Sequence, residues 1–148
     1  MTTLGRRGDY RWWTTIPTRW MDCDAYGHVN NVVYYSWFDT AVTSMLYERG
    51  VLDRNAEAIG LCVESACAYL APVGFPETVD AGVRISRLGD KSIRYEVGLF
   101  LSGRAEPAAL GHFVHVFVDR ATRRPVPIAA RHRVAIADLL VGTTGSMG

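Results

Sequence analysis

Residues 32–49 read VVYYSWFDTAVTSMLYER. Tyr34, Tyr35, Phe38, Ala41, Val42, Met45 and Leu46 recur at three- and four-residue spacing, which is the period of a helix. Val32, Val33, Trp37 and Tyr47 fill much of the remaining circumference. A helix apolar over most of its surface must be wrapped by other structure. At 1.5 Å per residue it spans roughly 27 Å, long for a small domain. Gly50 stands where the helix should end.

The flanking segments supply the wrapping. Residues 10–20, YRWWTTIPTRW, are rich in aromatic and β-branched types and predict a strand. Pro17 lacks an N–H, which places that strand at an edge or bulges it near its end. Residues 59–70 predict a second strand that stops before Pro72. Residues 77–87 alternate, with Val79, Ala81, Val83 and Ile85 on one face. Residues 91–101 alternate more cleanly, with Ile93, Tyr95, Val97, Leu99 and Leu101 on one face, and residues 108–119 give another long strand. Short turns such as Gly89-Asp90 imply an antiparallel meander with half-buried faces. PVPIAARHRVAIADLL, residues 125–140, reads as an extended lead-in and a short terminal helix. One apolar helix against one large antiparallel sheet is an α+β design. A sheet curved round the helix satisfies both patterns.

The chain's 148 residues suit one domain with one core. We expect residues 1–9 to be a flexible N-terminus, 10–141 the single domain, and 142–148 a flexible tail. Sixteen basic against fifteen acidic residues give a formal charge of +1, which argues against nucleic acid as a partner. MTTLGRRGDYRWW has no apolar signal region. Ser36 and Asp39 interrupt the longest apolar run, so no membrane span is expected. Cys23, Cys62 and Cys67 are odd in number and lack C-x-x-C spacing. That fits reduced thiols in a cytoplasmic protein. No pattern calls for a metal or a cofactor.

Before the helix stands RWMDCDAYGHVNN, residues 19–31. A plain reading makes Asp22, Asp24 and Gly27 turn formers and Asn30 or Asn31 a helix cap, worth about 1 kcal/mol. Asp22 is placed to pair with Arg19. A second reading is chemical. The first N–H groups of a helix lack intrahelical partners and carry the positive end of its dipole. A carboxylate beside them sets a base next to an electrophile-binding group.

Four stretches in order decide between these readings. They are Arg19 to Tyr34, AYLAPVGFPETV (residues 68–79), RLGDKSIRYEV (residues 87–97) and FVHVFVDRATRRPVPI (residues 113–128). Together they resemble the hotdog-fold acyl-CoA thioesterases of the 4-hydroxybenzoyl-CoA thioesterase-like family. The resemblance implies a hotdog fold, one long central helix wrapped by a curved antiparallel sheet. It implies hydrolysis of an acyl-CoA or acyl carrier protein thioester, in a homodimer or homotetramer with sites at the subunit interface. The second Asp of the D-x-D falls on Asp24, as general base or nucleophile. The backbone N–H of Asn31, or of Asn30 or Val32, would polarise the carbonyl. Gly27, His28 and Asn30 would shape the loop or meet the substrate, and Ser92 would meet the pantetheine arm. Some of Arg87, Lys91, Arg120, Arg123 and Arg124 would meet the coenzyme A phosphates.

Rivals remain in the same residues. Asp39 stands where another branch of the fold keeps a helix carboxylate. His28 could be a base, and Cys23 a nucleophile. His112 and His115, three apart on a strand, point to opposite faces and do not form a metal pair. Trp37, Phe38 and Tyr35 read as core. A non-catalytic acyl-CoA sensor, or a hotdog dehydratase using His28, are the competing functions.

Overall fold

In the computed structural model, which describes residues 5–141, an 18-residue helix α1 (Asn31–Glu48) lies on one face of a five-stranded antiparallel sheet. The strands are β1 (Trp12–Pro17), β2 (Ala58–Tyr69), β3 (Thr78–Leu88), β4 (Ser92–Leu101) and β5 (Pro107–Asp119). A seven-residue helix α2 (Ala130–Ile136) follows. Residues 1–4 and the expected tail at 142–148 lie outside the described residues. Among the described residues no helix is long and apolar enough to cross a membrane.

α1 buries Tyr34, Trp37, Phe38, Ala41, Val42, Met45 and Leu46. They meet the inward rows of the sheet: Val79, Ala81, Val83 and Ile85 of β3, Ile93, Tyr95, Val97 and Leu99 of β4, and Phe113 and Phe117 of β5. Ile136 and Leu139 close the core from the C-terminal side. At roughly 25 cal/mol per Å² of apolar surface removed from water, this contact is the main favourable term of the fold. Phe38 presses on the β5 backbone at Gly111, where a Cβ would collide with its ring.

The strand order is β1-β3-β4-β5-β2, which corrects the expected meander. β3, β4 and β5 do run as consecutive hairpins. β2, however, pairs with β5 at the far edge, and β1 takes the place beside β3. Burial explains the order. β3 and β4 are shielded on both faces, as central strands must be. β2 is exposed along most of its length, as an edge strand can be. β1 with Pro17 forms the other edge, so the missing N–H falls at a sheet border.

The expectation of half-buried strands is also corrected for β3 and β4. Tyr10 and Trp13 cross the outer face and fill the space left by Gly82 and Gly98. Residues 5–9 dock there too. Arg7 pairs with Asp80 at 3.0 Å and stacks on Phe100. Arg84, turned outward on β3, is buried; its guanidinium gives two bonds to Glu96 Oε1, at 2.6 and 3.0 Å. The strand expected over 10–20 stops at Pro17, and Trp20–Asp22 form a 3-10 turn.

One buried polar pair belongs to the inner face. The Tyr95 hydroxyl, fully buried, lies 3.2 Å from His115 Nδ1. Burial pushes the His115 imidazole down to about 4, with the Asp39 carboxylate opposing in part. The unfolded chain takes up this proton near pH 6.5 and the folded protein only near 4. Stability is therefore full above about pH 6.5 and declines as pH falls toward 4. We predict a loss of about 2 to 3 kcal/mol between pH 7 and pH 4.5 in urea unfolding. His115→Gln should flatten that slope; an unchanged slope would contradict the buried neutral imidazole.

Candidate functional site

The loop before α1 is built by its own polar groups. Asp22 is buried, and its carboxylate accepts from the Arg19 backbone N–H at 2.8 Å and from the guanidinium at 2.7 and 3.0 Å. Burial pushes the Asp22 carboxyl up, but the Arg19 guanidinium and backbone N–H outweigh it and hold the carboxyl below its usual range. The Asp22 carbonyl also accepts from the Asn30 N–H. The pairing expected between Asp22 and Arg19 is thus present, and it fixes both ends of the loop.

Between these ends the chain makes a closed turn. Cys23 bridges Val29, and the Asp24 N–H donates to the His28 carbonyl at 2.8 Å. Gly27 adopts φ +82°, a left-handed conformation that glycine takes without strain. The Asp24 Oδ1 accepts from the Tyr26 N–H at 2.8 Å and the His28 N–H at 3.3 Å. Its Oδ2 makes no hydrogen bond among the described residues. One oxygen is held by the loop, and the other is left for something outside it. Asp24 is solvent-exposed in the single chain.

Asn30 is the helix cap: its Oδ1 accepts from the Val32 N–H at 3.1 Å. Asn31 is the first helical residue. Its N–H makes no hydrogen bond among the described residues, as expected for a group at the positive end of a helix dipole. Asp24, Gly27, His28, Asn30 and Asn31 are therefore brought together at one loop-to-helix junction.

Sequence reading missed Tyr69. Its hydroxyl donates to the Asn31 carbonyl at 3.1 Å, and its ring packs edge-on against Tyr34 at 5.0 Å. Partial desolvation of its hydroxyl, and the neighbouring Cys67 and Tyr35, push its phenol up to about 12, so it stays a donor at neutral pH. Tyr69 ends β2, 38 residues from Asn31, and no local spacing could announce that contact. The segment after β2 supports the loop as well: the Val29 N–H donates to the Val73 carbonyl at 2.7 Å. Trp20 and Phe75 stack edge-on at 5.9 Å. Trp20, Met21, Tyr26, Val32 and Tyr69 are exposed around the junction. So many exposed apolar side chains in one place mark a binding surface.

The other expected residues lie elsewhere. Arg87 and Lys91 flank the β3–β4 turn, Ser92 begins β4, and Arg123 follows β5 with φ +64°. These form a second group at the sheet end where Ser92 faces Val116. The end of β2 that reaches Asn31 is its opposite, C-terminal end. A single chain does not bring this group to Asp24. Asp39 sits two helical turns along α1, exposed, and accepts from the Thr43 hydroxyl at 3.3 Å. Cys23 is half-buried. His112 and His115 do point to opposite faces: His112 Nε2 lies 2.6 Å from Glu64 Oε2 on the outer face, and His115 is in the core. Tyr35, read as core, is partly exposed, while Trp37 and Phe38 are buried.

Known proteins resemble this chain in sequence and fold. The Thioesterase-like superfamily matches residues 18–136, from just after β1 to the end of α2. The PA5185 protein of Pseudomonas aeruginosa has a similar structure, with 50% sequence identity and a TM-score of 0.90, over 95% of this chain and 99% of that one. BH1999, a gentisyl-coenzyme A thioesterase, is 29% identical with a TM-score of 0.75, over 84% of this chain and 99% of its own. The uncharacterized protein YsmA of Bacillus subtilis is 25% identical over 118 residues, 79% of each chain.

The Asn30 side chain gives this junction a measurable energy. Asn30→Ala should lower unfolding free energy by about 1 kcal/mol, read as a reduced urea midpoint. A midpoint unchanged within error would mean that the cap does not hold the helix start.

Proposed function

We propose, from the premise that this chain belongs to the Thioesterase-like superfamily, that it hydrolyses acyl-CoA thioesters on a hotdog fold, with α1 as its long central helix. The observation that carries this reading is the pairing of an anchored carboxylate with an unpartnered helix N–H. Asp24 is held through Oδ1 while Oδ2 stays free. The Asn31 N–H stands at the start of the helix that follows. Hydrolysis needs a base or nucleophile on one side of the carbonyl and a donor for the developing oxyanion on the other.

In this mechanism the thioester oxygen accepts from the Asn31 N–H. The free Asp24 oxygen either takes a proton from an attacking water or attacks the carbon itself. Collapse of the tetrahedral intermediate expels the thiolate, which is protonated to free coenzyme A. Along the direct route water supplies the acid's new oxygen. Along the covalent route an Asp24 anhydride forms first and water then opens it, so both routes end in the same acid and thiol. Gly27 and His28 shape the loop, and Tyr69 steadies the Asn31 carbonyl.

A homodimer completes the site. β2 is a twelve-residue edge strand with an unpaired outer side, which invites pairing with a second copy. A two-fold axis through that edge would set two sheets side by side with their helices antiparallel. The Ser92, Arg87, Lys91 and Arg123 end of one subunit would then approach the Asp24 end of the other. These cations suit the coenzyme A phosphates. The name of BH1999, a gentisyl-coenzyme A thioesterase, favours the coenzyme A thioester over one borne by a carrier protein.

Two measurements test this. Free thiol release from a panel of aryl and aliphatic acyl-CoAs should show turnover. Asp24→Asn should lower kcat by about 100-fold or more while the protein stays folded, since the amide oxygen still accepts from Tyr26 and His28. Retained turnover would remove Asp24 from the mechanism, and acyl-CoA binding without any thiol release would favour a sensor. For the dimer, inactive Asp24→Asn should be refolded with an inactive Lys91→Ala/Arg123→Ala variant. Random pairing gives about half mixed dimers with one intact site of two, so about a quarter of wild-type activity should return. No recovery would place both groups in one subunit's site.

A further inference from the structure

A cavity of about 260 Å³ lies at the C-terminal end of α1, between the helix and the paired strands β2 and β5. Leu46, Val51 and Phe117, all buried, give it apolar walls, and His115 adds a buried ring. Asp53, Arg54 and Arg120 stand exposed at its rim.

Small residues on β2 make this room. Gly60 stands opposite Phe117, and Cys62 opposite His115, in the ladder between β2 and β5. Residues directly opposite share one face of a sheet. β5 therefore sets large rings on the inner face where β2 sets small groups. A Cβ at Gly60 would lie 3.3 Å from His115 Nδ1, 3.4 Å from its Cγ and 3.5 Å from the Phe117 ring. Any side chain at this position would enter the space between two of the cavity's walls. Ala58 and Gly60, which also line the cavity, are exposed in the single chain, so it is open on the β2 side.

The course of β2 links this cavity to the helix start. The strand begins at the cavity with Ala58 and ends at Tyr69, whose hydroxyl donates to the Asn31 carbonyl. In an antiparallel pair of β2 strands, about 4.8 Å apart, the first residues of one lie beside the last residues of the other. The cavity of one subunit then faces the helix start of its partner. The Phe117 N–H donates to the Lys91 carbonyl at 2.8 Å. The cavity thus borders the Ser92 and Lys91 group that suits coenzyme A.

We infer, on the hydrolase reading and its β2 dimer, that this cavity receives the acyl group of the thioester held at the partner subunit's helix start, and that it restricts the substrate to a short uncharged acyl chain or a single ring. The volume sets the length. A methylene fills about as much space as a water molecule in the liquid, about 30 Å³, so roughly eight carbons occupy the cavity. The walls exclude charge, because an ionised end among them would lose its hydration without an opposite charge. Burial holds the His115 imidazole down at about 4, so it offers no counter-charge at neutral pH.

Coenzyme A derivatives with methylene in place of the thioester sulfur, carrying acetyl, octanoyl and dodecanoyl groups, test this on the intact protein without turnover. Affinity should rise about two- to fourfold per methylene from acetyl to octanoyl and gain nothing further with dodecanoyl. In nitrogen-15-labelled protein the octanoyl derivative should move the amide resonances of Val51, Gly60 and Phe117, and the acetyl derivative should leave them in place. Gly60→Val fills the cavity at a strand position that accepts a β-branched residue. It should cut the preference for octanoyl over acetyl at least about tenfold, with the urea midpoint reporting that the variant is folded. If it does not fold, the wild-type chain-length series and amide shifts decide. Tighter binding of dodecanoyl than octanoyl, no gain from acetyl to octanoyl, cavity amides unmoved by the octanoyl derivative, or a preference unchanged in folded Gly60→Val would each overturn the inference. None of these results bears on thiol release from acyl-CoAs, whose absence is what overturns the hydrolase reading.

Discussion

The burial of α1 against the inner face of the sheet is the constraint on which the remaining structure depends. Phe38, Ala41, Val42 and Met45 are fully enclosed, and an apolar helix left uncovered would not persist in water. The sheet must be broad enough to cover it, so β3 and β4 become central and lose solvent on both faces. The outer face is in turn covered by Tyr10 and Trp13. Helix position also decides where polar groups can sit. The helix start must emerge at the sheet's end, where its unpartnered N–H groups reach solvent or a ligand. The Arg19–Asp22 pair and the Asn30 cap hold that start in place.

Much of this was legible in the sequence, because periodicity reports which faces are buried. The three- and four-residue spacing over 32–49 located α1 to within a residue at each end. Alternation over 91–101 marked the inward row of β4. A cap at Asn30 or Asn31 and a pair between Asp22 and Arg19 were indicated by residue type and position, since caps and short-range ion pairs are local chemistry, and the structure gives the cap to Asn30. Strand neighbours are a different kind of information. β2 pairs with β5 across some fifty residues, and nothing in the pattern of either strand names its partner. The covering of Gly82 and Gly98 by Tyr10 and Trp13 escaped for the same reason, as did the contact from Tyr69 to Asn31.

The division of the expected binding residues has a physical meaning. Asp24, Gly27, His28 and Asn30 gather at one end of α1, while Arg87, Lys91, Ser92 and Arg123 gather at the other end of the sheet. Residue type alone could suggest both groups but not their separation. An antiparallel pairing of two chains along β2 would reunite them and cover the exposed apolar side chains near the helix start. The same α1 burial that makes a stable subunit thus leaves one edge and one end unfinished.

The central claim is that a thioester carbonyl is held at the start of α1. An acyl-CoA analogue with methylene in place of the thioester sulfur keeps the carbonyl and cannot be hydrolysed. Titrated into nitrogen-15-labelled protein, it should move the backbone amide resonances of Asn31 and Val32 most, with the Asn31 N–H shifting as its hydrogen bond forms. Saturable binding that leaves those amides unmoved and perturbs only distant residues would contradict the account.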